Sequence, residues 1–232
     1  MTAKTEQYKI RRGRTEIDVP HKDSNITFDY EKHGPGTYAN VASSIDKTGL
    51  SQPTMAETAS LVHAAFNADE PEFNEIKQLV KDRWLWAYTG SLYIPGKGAY
   101  IQDNPAIKNG MPYMEESMLV KKLEADDESV RFVPFGYKTG EMSSMQLAKN
   151  AYVKALAGDE GAEKLAEIAD KHRNNPCLYS FESVDAPLTR VSALVSGWDF
   201  GHWFDVVGDS HGDDRYGCAF GVREGGIGTV GS

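Results

Sequence analysis

Cysteine is scarce. The 232 residues hold two, Cys177 and Cys218, which allow at most one disulfide and fit no paired CxxC zinc pattern. A disulfide-stapled scaffold is thereby excluded, and a structural zinc site is not expected. No run of about eighteen apolar residues occurs, so no segment is expected to insert into a membrane. The opening stretch, MTAKTEQYKIRRGR, is polar and basic and lacks the apolar stretch of a secretory signal, which makes a cytoplasmic location the default expectation. The sequon Asn25-Ile26-Thr27 would matter only on a glycosylating export route. A surplus of positive charge is also missing: the net charge of −9 argues against nucleic-acid binding through a general basic face. What is present is ordinary globular composition, 40% hydrophobic and 25% charged, enough for one well-buried domain over residues 1–232.

The chain divides by pattern. Ile26 to Lys32 alternates apolar and polar residues as a half-buried strand does, and Gly34-Pro35-Gly36 is expected to break it. Lys9, Arg11, Arg12 and Arg14 read as a solvated strand face. Pro53 suits the first turn of a helix that carries Ala59, Leu61, Val62, Ala65 and Phe66 on one face. A second helix is expected from Glu72 to Trp84. Two aromatic strands then meet at Pro95-Gly96-Lys97-Gly98, a turn without the spacing of a phosphate loop. Residues 104–176 read as a helical insertion, with helices at 118–124, 145–157 and 161–172 and a strand over 130–138. In the last third, short core strands at 191–194 and 219–222 are expected to flank an irregular middle.

Residues 190–223 contain no Lys, Glu, Gln or Met. These four types make up about a fifth of the chain, so a random window of this length would lack them roughly once in a thousand tries. Lysine and glutamate are ordinary surface residues, so this is not a usual solvated loop. In their place stand Asp199, Asp205, Asp209, Asp213 and Asp214, interleaved with Trp198, Phe200, Trp203, Phe204 and Tyr216. Rigid rings beside short polar groups are the composition of an adaptable binding surface.

On particular residues the chain resembles the variable proteins of archaeal diversity-generating retroelements. Near the end these are Arg190 to Leu194, Trp198, Gly201, Val206, His211-Gly212, Arg215 and Ala219 to Val222. Upstream they are Leu92 to Pro95, Tyr100 to Pro105, Val130 to Gly136 and Ser183 to Asp185. The resemblance covers roughly residues 40–223. It implies an α+β chain with a C-type-lectin fold of the formylglycine-generating-enzyme type, here with a helical insertion. It also implies a gene whose 3′ end is rewritten at adenines. Scrambled AAY codons become NNY codons, which never encode Lys, Glu, Gln, Met or Trp. Trp198 would then be framework, and Trp203 either framework or the product of another codon.

The diversified positions implied by the resemblance are Val195, Gly197, Asp199, Phe200, His202, Trp203, Asp205, Asp209, Ser210, Asp213, Asp214, Tyr216 and Cys218. In the family such residues face solvent and contact the ligand. Val191, Leu194, Val206, Ala219, Phe220 and Val222 would be buried beneath them. The implied function is hypervariable recognition of a protein or other macromolecule without catalysis, cofactor or metal. Two other classes stay open. An enzyme of the formylglycine-generating-enzyme type would need its cysteines, and Cys177 and Cys218 lie in no matching motif. A calcium-dependent lectin would use carboxylates such as Asp205, Asp209, Asp213 and Asp214 beside His211, yet their spacing fits no EF-hand loop. His211 could act as a base beside Asp209 or Asp213, but no GxSxG nucleophile accompanies it.

Overall fold

The computed structural model describes residues 9–10, 16–197 and 203–223. In chain order the elements are β1 (Lys9–Ile10), β2 (Glu16–His21), β3 (Ser24–Gly36), α1 (Tyr38–Asp46), α2 (Met55–Asn67) and α3 (Pro71–Asp82). Next come β4 (Leu85–Ile94), β5 (Gly98–Asp103), β6 (Ile107–Lys108), β7 (Met111–Pro112), α4 (Glu116–Glu124), β8 (Val130–Pro134) and β9 (Gly140–Glu141). The remainder is α5 (Ser144–Lys149), α6 (Ala151–Ala169), β10 (Cys177–Tyr179), β11 (Leu188–Gly197), β12 (Trp203–Ser210) and β13 (Gly217–Arg223). The chain is α+β. Among the described residues one mixed sheet of eleven strands runs β1-β2-β3-β13-β4-β11-β12-β10-β9, with β5 and β8 branching from β4.

Local signals place the helices. Thr54 caps α2 through a reciprocal pair: its hydroxyl accepts from the Glu57 N–H at 3.3 Å, and the Glu57 carboxylate accepts from the Thr54 N–H at 2.7 Å. Helix α2 therefore starts at Met55, and Pro53 lies outside it rather than in its first turn. Pro71 opens α3 at a position where a missing N–H costs nothing. That helix ends at Asp82, short of Trp84. Trp84 follows Val80 at helical spacing, but here it leads into β4. Gly34-Pro35-Gly36 does not end β3, which runs through to Gly36. A Cβ on Gly34 would sit 2.6 Å from the Gly217 carbonyl oxygen, so this glycine serves close approach of β13.

The sheet buries both faces. On one side α2, α3 and α6 cover the main core, which includes Phe28, Met55, Phe73, Tyr152, Phe204 and Phe220. On the other, α1 covers a second core of Tyr38, Ile45, Trp86, Tyr88, Val191 and Val207. Each such large apolar side chain contributes about 2–3 kcal/mol of transfer free energy. Helix α6 supplies Tyr152, Val153, Leu156, Leu165 and Ile168 to the main core, so the 104–176 segment is built into the centre of the fold. Two helices were expected at 145–157 and 161–172, and α6 is two helical stretches that meet at Gly158, whose φ of 74° and ψ of 172° are not helical; the short α5 precedes them.

At the joint of β2, α2 and α6 lies a buried ammonium. Lys164, 7% exposed, donates to the Pro20 carbonyl at 2.9 Å and to the Ser60 hydroxyl at 3.0 Å, and it pairs with Glu160. His21 Nδ1 lies 2.9 Å from the same hydroxyl. Burial, and then the Lys164 charge, lower the His21 pKa to about 4.

Candidate functional site

The middle of the last third is not irregular throughout. Residues 203–210 form β12, antiparallel to β11 with Val195 opposite Asp205 and Gly197 opposite Trp203. Strand alternation then sorts the side chains. Leu194, Phe204 and Val206 enter the main core, while Ala193 and Val207 enter the second. Val191, Leu194, Val206, Ala219, Phe220 and Val222 are all buried, as expected of framework residues.

Ala193 and Val207 share one face of the sheet with the second core. One row of side chains crosses it. Leu194 pairs with Leu85, so Val195 and Trp84 are the next positions along those two strands. Val195 is opposite Asp205, and Asp205 is opposite Cys177 on the parallel strand β10. Cys177 in turn pairs with Glu141 on β9. Trp84 and Val195 are partly buried against the second core, and Trp84 packs on Trp86 at 5.7 Å between ring centroids. Tyr179, two residues beyond Cys177, is 48% exposed.

Asp205 is the unusual member of this row. It is 6% exposed, and its Oδ1 has no hydrogen-bond partner. Burial pushes its pKa up to about 6, while the Trp203 indole N–H, acting as a donor, pulls the other way. Cys177 is free and partly buried, and burial holds its thiol above the usual range. Tyr179 is pushed up to about 12 by burial, then by the charges of Cys177 and Asp205. Asp209, further along β12, is raised by burial and lowered by Arg190 and His211.

The 211–216 connection is held by its own backbone. Gly212 adopts φ 69°, a left-handed conformation that favours glycine, and its carbonyl accepts from the Tyr38 N–H at 3.0 Å. The Ser210 hydroxyl accepts from the Gly212 N–H at 3.1 Å, and the Asp214 carboxylate accepts from the Tyr216 N–H at 2.6 Å. These two side chains shape the turn. His211, Asp213 and Tyr216 are exposed, and the Arg83 guanidinium lies 5.7 Å from the Tyr216 ring centroid. At Gly217 a Cβ would come within 2.0 Å of Trp86 Nε1, so this position admits only glycine without repacking.

The sequence-derived set thus separates. Val195, Gly197, Trp203 and Asp205 meet across β11 and β12, and Asp213, Asp214 and Tyr216 lie in the loop before β13. Asp209 and Ser210 end β12 between these groups. Asp199, Phe200 and His202 lie outside the described residues. Cys218 does not face solvent. Alternation along β13 sends it into the main core with Phe220 and Val222, where it is 2% exposed and burial pushes its thiol up to about 11. Asp205 is likewise covered, through its place in the sheet row. Both cysteines are free, and neither thiol is poised for thiolate chemistry. Among the described residues no group of three or more His, Cys, Asp or Glu is placed to hold a metal ion. Sequence reasoning missed Cys177 and Tyr179 as neighbours of Asp205, because only the pairing of β10 with β12 brings them there. No helix among the described residues is long and apolar enough to cross a membrane. A family model, a curated protein or a solved structure that matches the chain was not found in any of the three comparisons.

Proposed function

We propose that this chain is a hypervariable ligand-binding protein of C-type-lectin fold, diversified by a retroelement, which recognises a protein or other macromolecule through the 195–216 surface. The observation that carries the reading is the lack of Lys, Glu, Gln and Met over residues 190–223, in a chain where those types are common elsewhere. Supporting it, Val195, Trp203, Asp213 and Tyr216 are partly or fully exposed beside the buried runs 191–194, 204–208 and 217–222, so they can change while the core beneath stays filled. The rings supply contact area at low entropy cost, and the aspartates favour a partner rich in positive charge or hydrogen-bond donors.

The test is the DNA beside the gene. The reading expects a near-copy of the 3′ end that differs at template adenines, next to a reverse-transcriptase gene. Neither a copy nor a reverse transcriptase in the flanking sequence would refute diversification.

A further inference from the structure

Outside the 195–216 surface, the 104–176 segment holds a cavity of about 530 Å³, a volume typical of small-molecule sites. It lies where the chain leaving β8 wraps the junction of α5 and α6. Asn150 makes that junction. Its extended backbone ends α5, and its side-chain oxygen accepts from the Tyr152 and Val153 N–H groups at 2.9 and 3.3 Å. Its amide donates to the Lys138 carbonyl at 2.8 Å. The Tyr137 hydroxyl donates to the Phe181 carbonyl at 2.6 Å, and its ring centroid lies 5.0 Å from that of Tyr152 in the main core. The walls are thus set by the fold before any ligand arrives.

The lining combines two chemistries. Phe135, Tyr137 and Met142 make it apolar. Lys138 and Lys149, both exposed, bring two positive charges. It contains no aspartate or glutamate, although the chain has 34 acids against 25 lysines and arginines. Neither lysine is ion-paired among the described residues. Gln146 uses its oxygen to accept from the Ser143 N–H at 3.0 Å, and its NH2 group has no partner among the described residues. The neighbouring acids are engaged: Glu182 accepts from the Thr139 N–H and hydroxyl at 3.2 and 2.8 Å, and Glu141 from the Asn175 amide at 3.0 Å. Two ammonium groups repel a metal ion. An inorganic anion would leave the rings unused, and a neutral apolar ligand would leave the charges unused. An anion with an apolar body matches both.

We infer that this cavity binds a small organic carboxylate with an aromatic body. The ring packs against Phe135, Tyr137 and Met142, and the carboxylate is held by Lys138, Lys149 and the Gln146 amide. The site shares no lining residue with the 195–216 surface, and it stands whether or not that surface is diversified.

The probe is phenylbutyrate, titrated at low salt into the whole isotope-labelled protein and followed by its backbone amide signals. A saturable shift is expected. Phenylbutanamide keeps the ring and loses the charge, whereas butyrate keeps the charge and loses the ring. Each is expected to bind more weakly by about tenfold. Lys138→Gln combined with Lys149→Gln is expected to weaken phenylbutyrate binding by about tenfold. Ala151→Trp, at an exposed position of the lining, fills the cavity and is expected to abolish the shift. All three substituted positions are exposed, so the variants are expected to keep the fold, which the same amide spectrum checks. The absence of a saturable shift, or equal affinity for the amide or for butyrate, would overturn the site. Undiminished binding by the double lysine variant or by Ala151→Trp would overturn it as well. Failure here leaves the diversification reading standing, since that reading turns on the flanking DNA.

Discussion

Lys164 and Asp205 are buried to nearly the same degree, 7% and 6% exposed. The ammonium has a carbonyl, a hydroxyl and a carboxylate around it. The carboxylate has the Trp203 indole and one oxygen with nothing to accept from. The difference teaches how to read a buried charge. A fully partnered one fastens elements together, here β2 to α2 and α6. A half-partnered one is a cost carried by the fold.

Four measurements break or sharpen this contrast. Lys164→Ala removes the fastening and leaves the Ser60 hydroxyl and the Pro20 carbonyl short of a donor. A loss of about 2–3 kcal/mol is expected from denaturant midpoints. A loss below about 0.5 kcal/mol would make the cluster incidental. Asp205→Asn acts in the opposite direction. It is expected to stabilise by about 1–2 kcal/mol near neutral pH, after allowance for solvent screening.

The sign follows from proton binding. The folded carboxyl keeps its proton up to about 6, whereas the unfolded one releases it near 4. Stability from this group therefore declines as pH rises from about 4 to 6, and the gain in Asp205→Asn should shrink as pH falls through that window. Equal gains at both ends would disprove a buried carboxylate. His21 has the reverse slope. Its folded pKa of about 4 lies below the usual 6.5, so the unfolded state takes up protons first on acidification. The stability contributed by neutral His21 is complete above about 6.5 and drains away as pH falls towards 4. A thermal-melt series with His21→Gln should show a flatter acid limb than the wild type. The smallest effect is expected from Tyr216→Ala, within about 0.5 kcal/mol, because the ring is 64% exposed. A large loss would place that ring among the framework.

Much of the fold was legible where the signal is local. The apolar spacing of Ala59, Leu61, Val62, Ala65 and Phe66 announces α2, the periodic stretch from Glu72 announces α3, and the aromatic pattern around Pro95 announces β4 and β5. Strand β12 was not legible. Asp205, Gly208 and Asp209 resemble a loop, and only the neighbours β11 and β10 supply the backbone partners that make it a strand. Gly208 is there because a Cβ would meet the Tyr152 hydroxyl at 2.0 Å, a long-range reason that composition does not carry. The biased segment proposed thirteen positions as one solvent-facing set, and Asp205 and Cys218 are buried instead. Which of the thirteen positions are covered depended on alternation: Cys218 goes inward because β13 is a strand and its odd-numbered neighbour Ala219 faces α1.

Strand β13 lies between β3 and β4, which are synthesised long before it. A nascent chain therefore carries two unsatisfied strand edges until residues 217–223 emerge, and the sheet closes only by capture of a late segment across a large sequence distance. Assembly thus inspects its own product. A chain whose 217–223 stretch cannot take the slot, for instance through a side chain at Gly217 against Trp86, is left with open edges, exposed to aggregation and degradation.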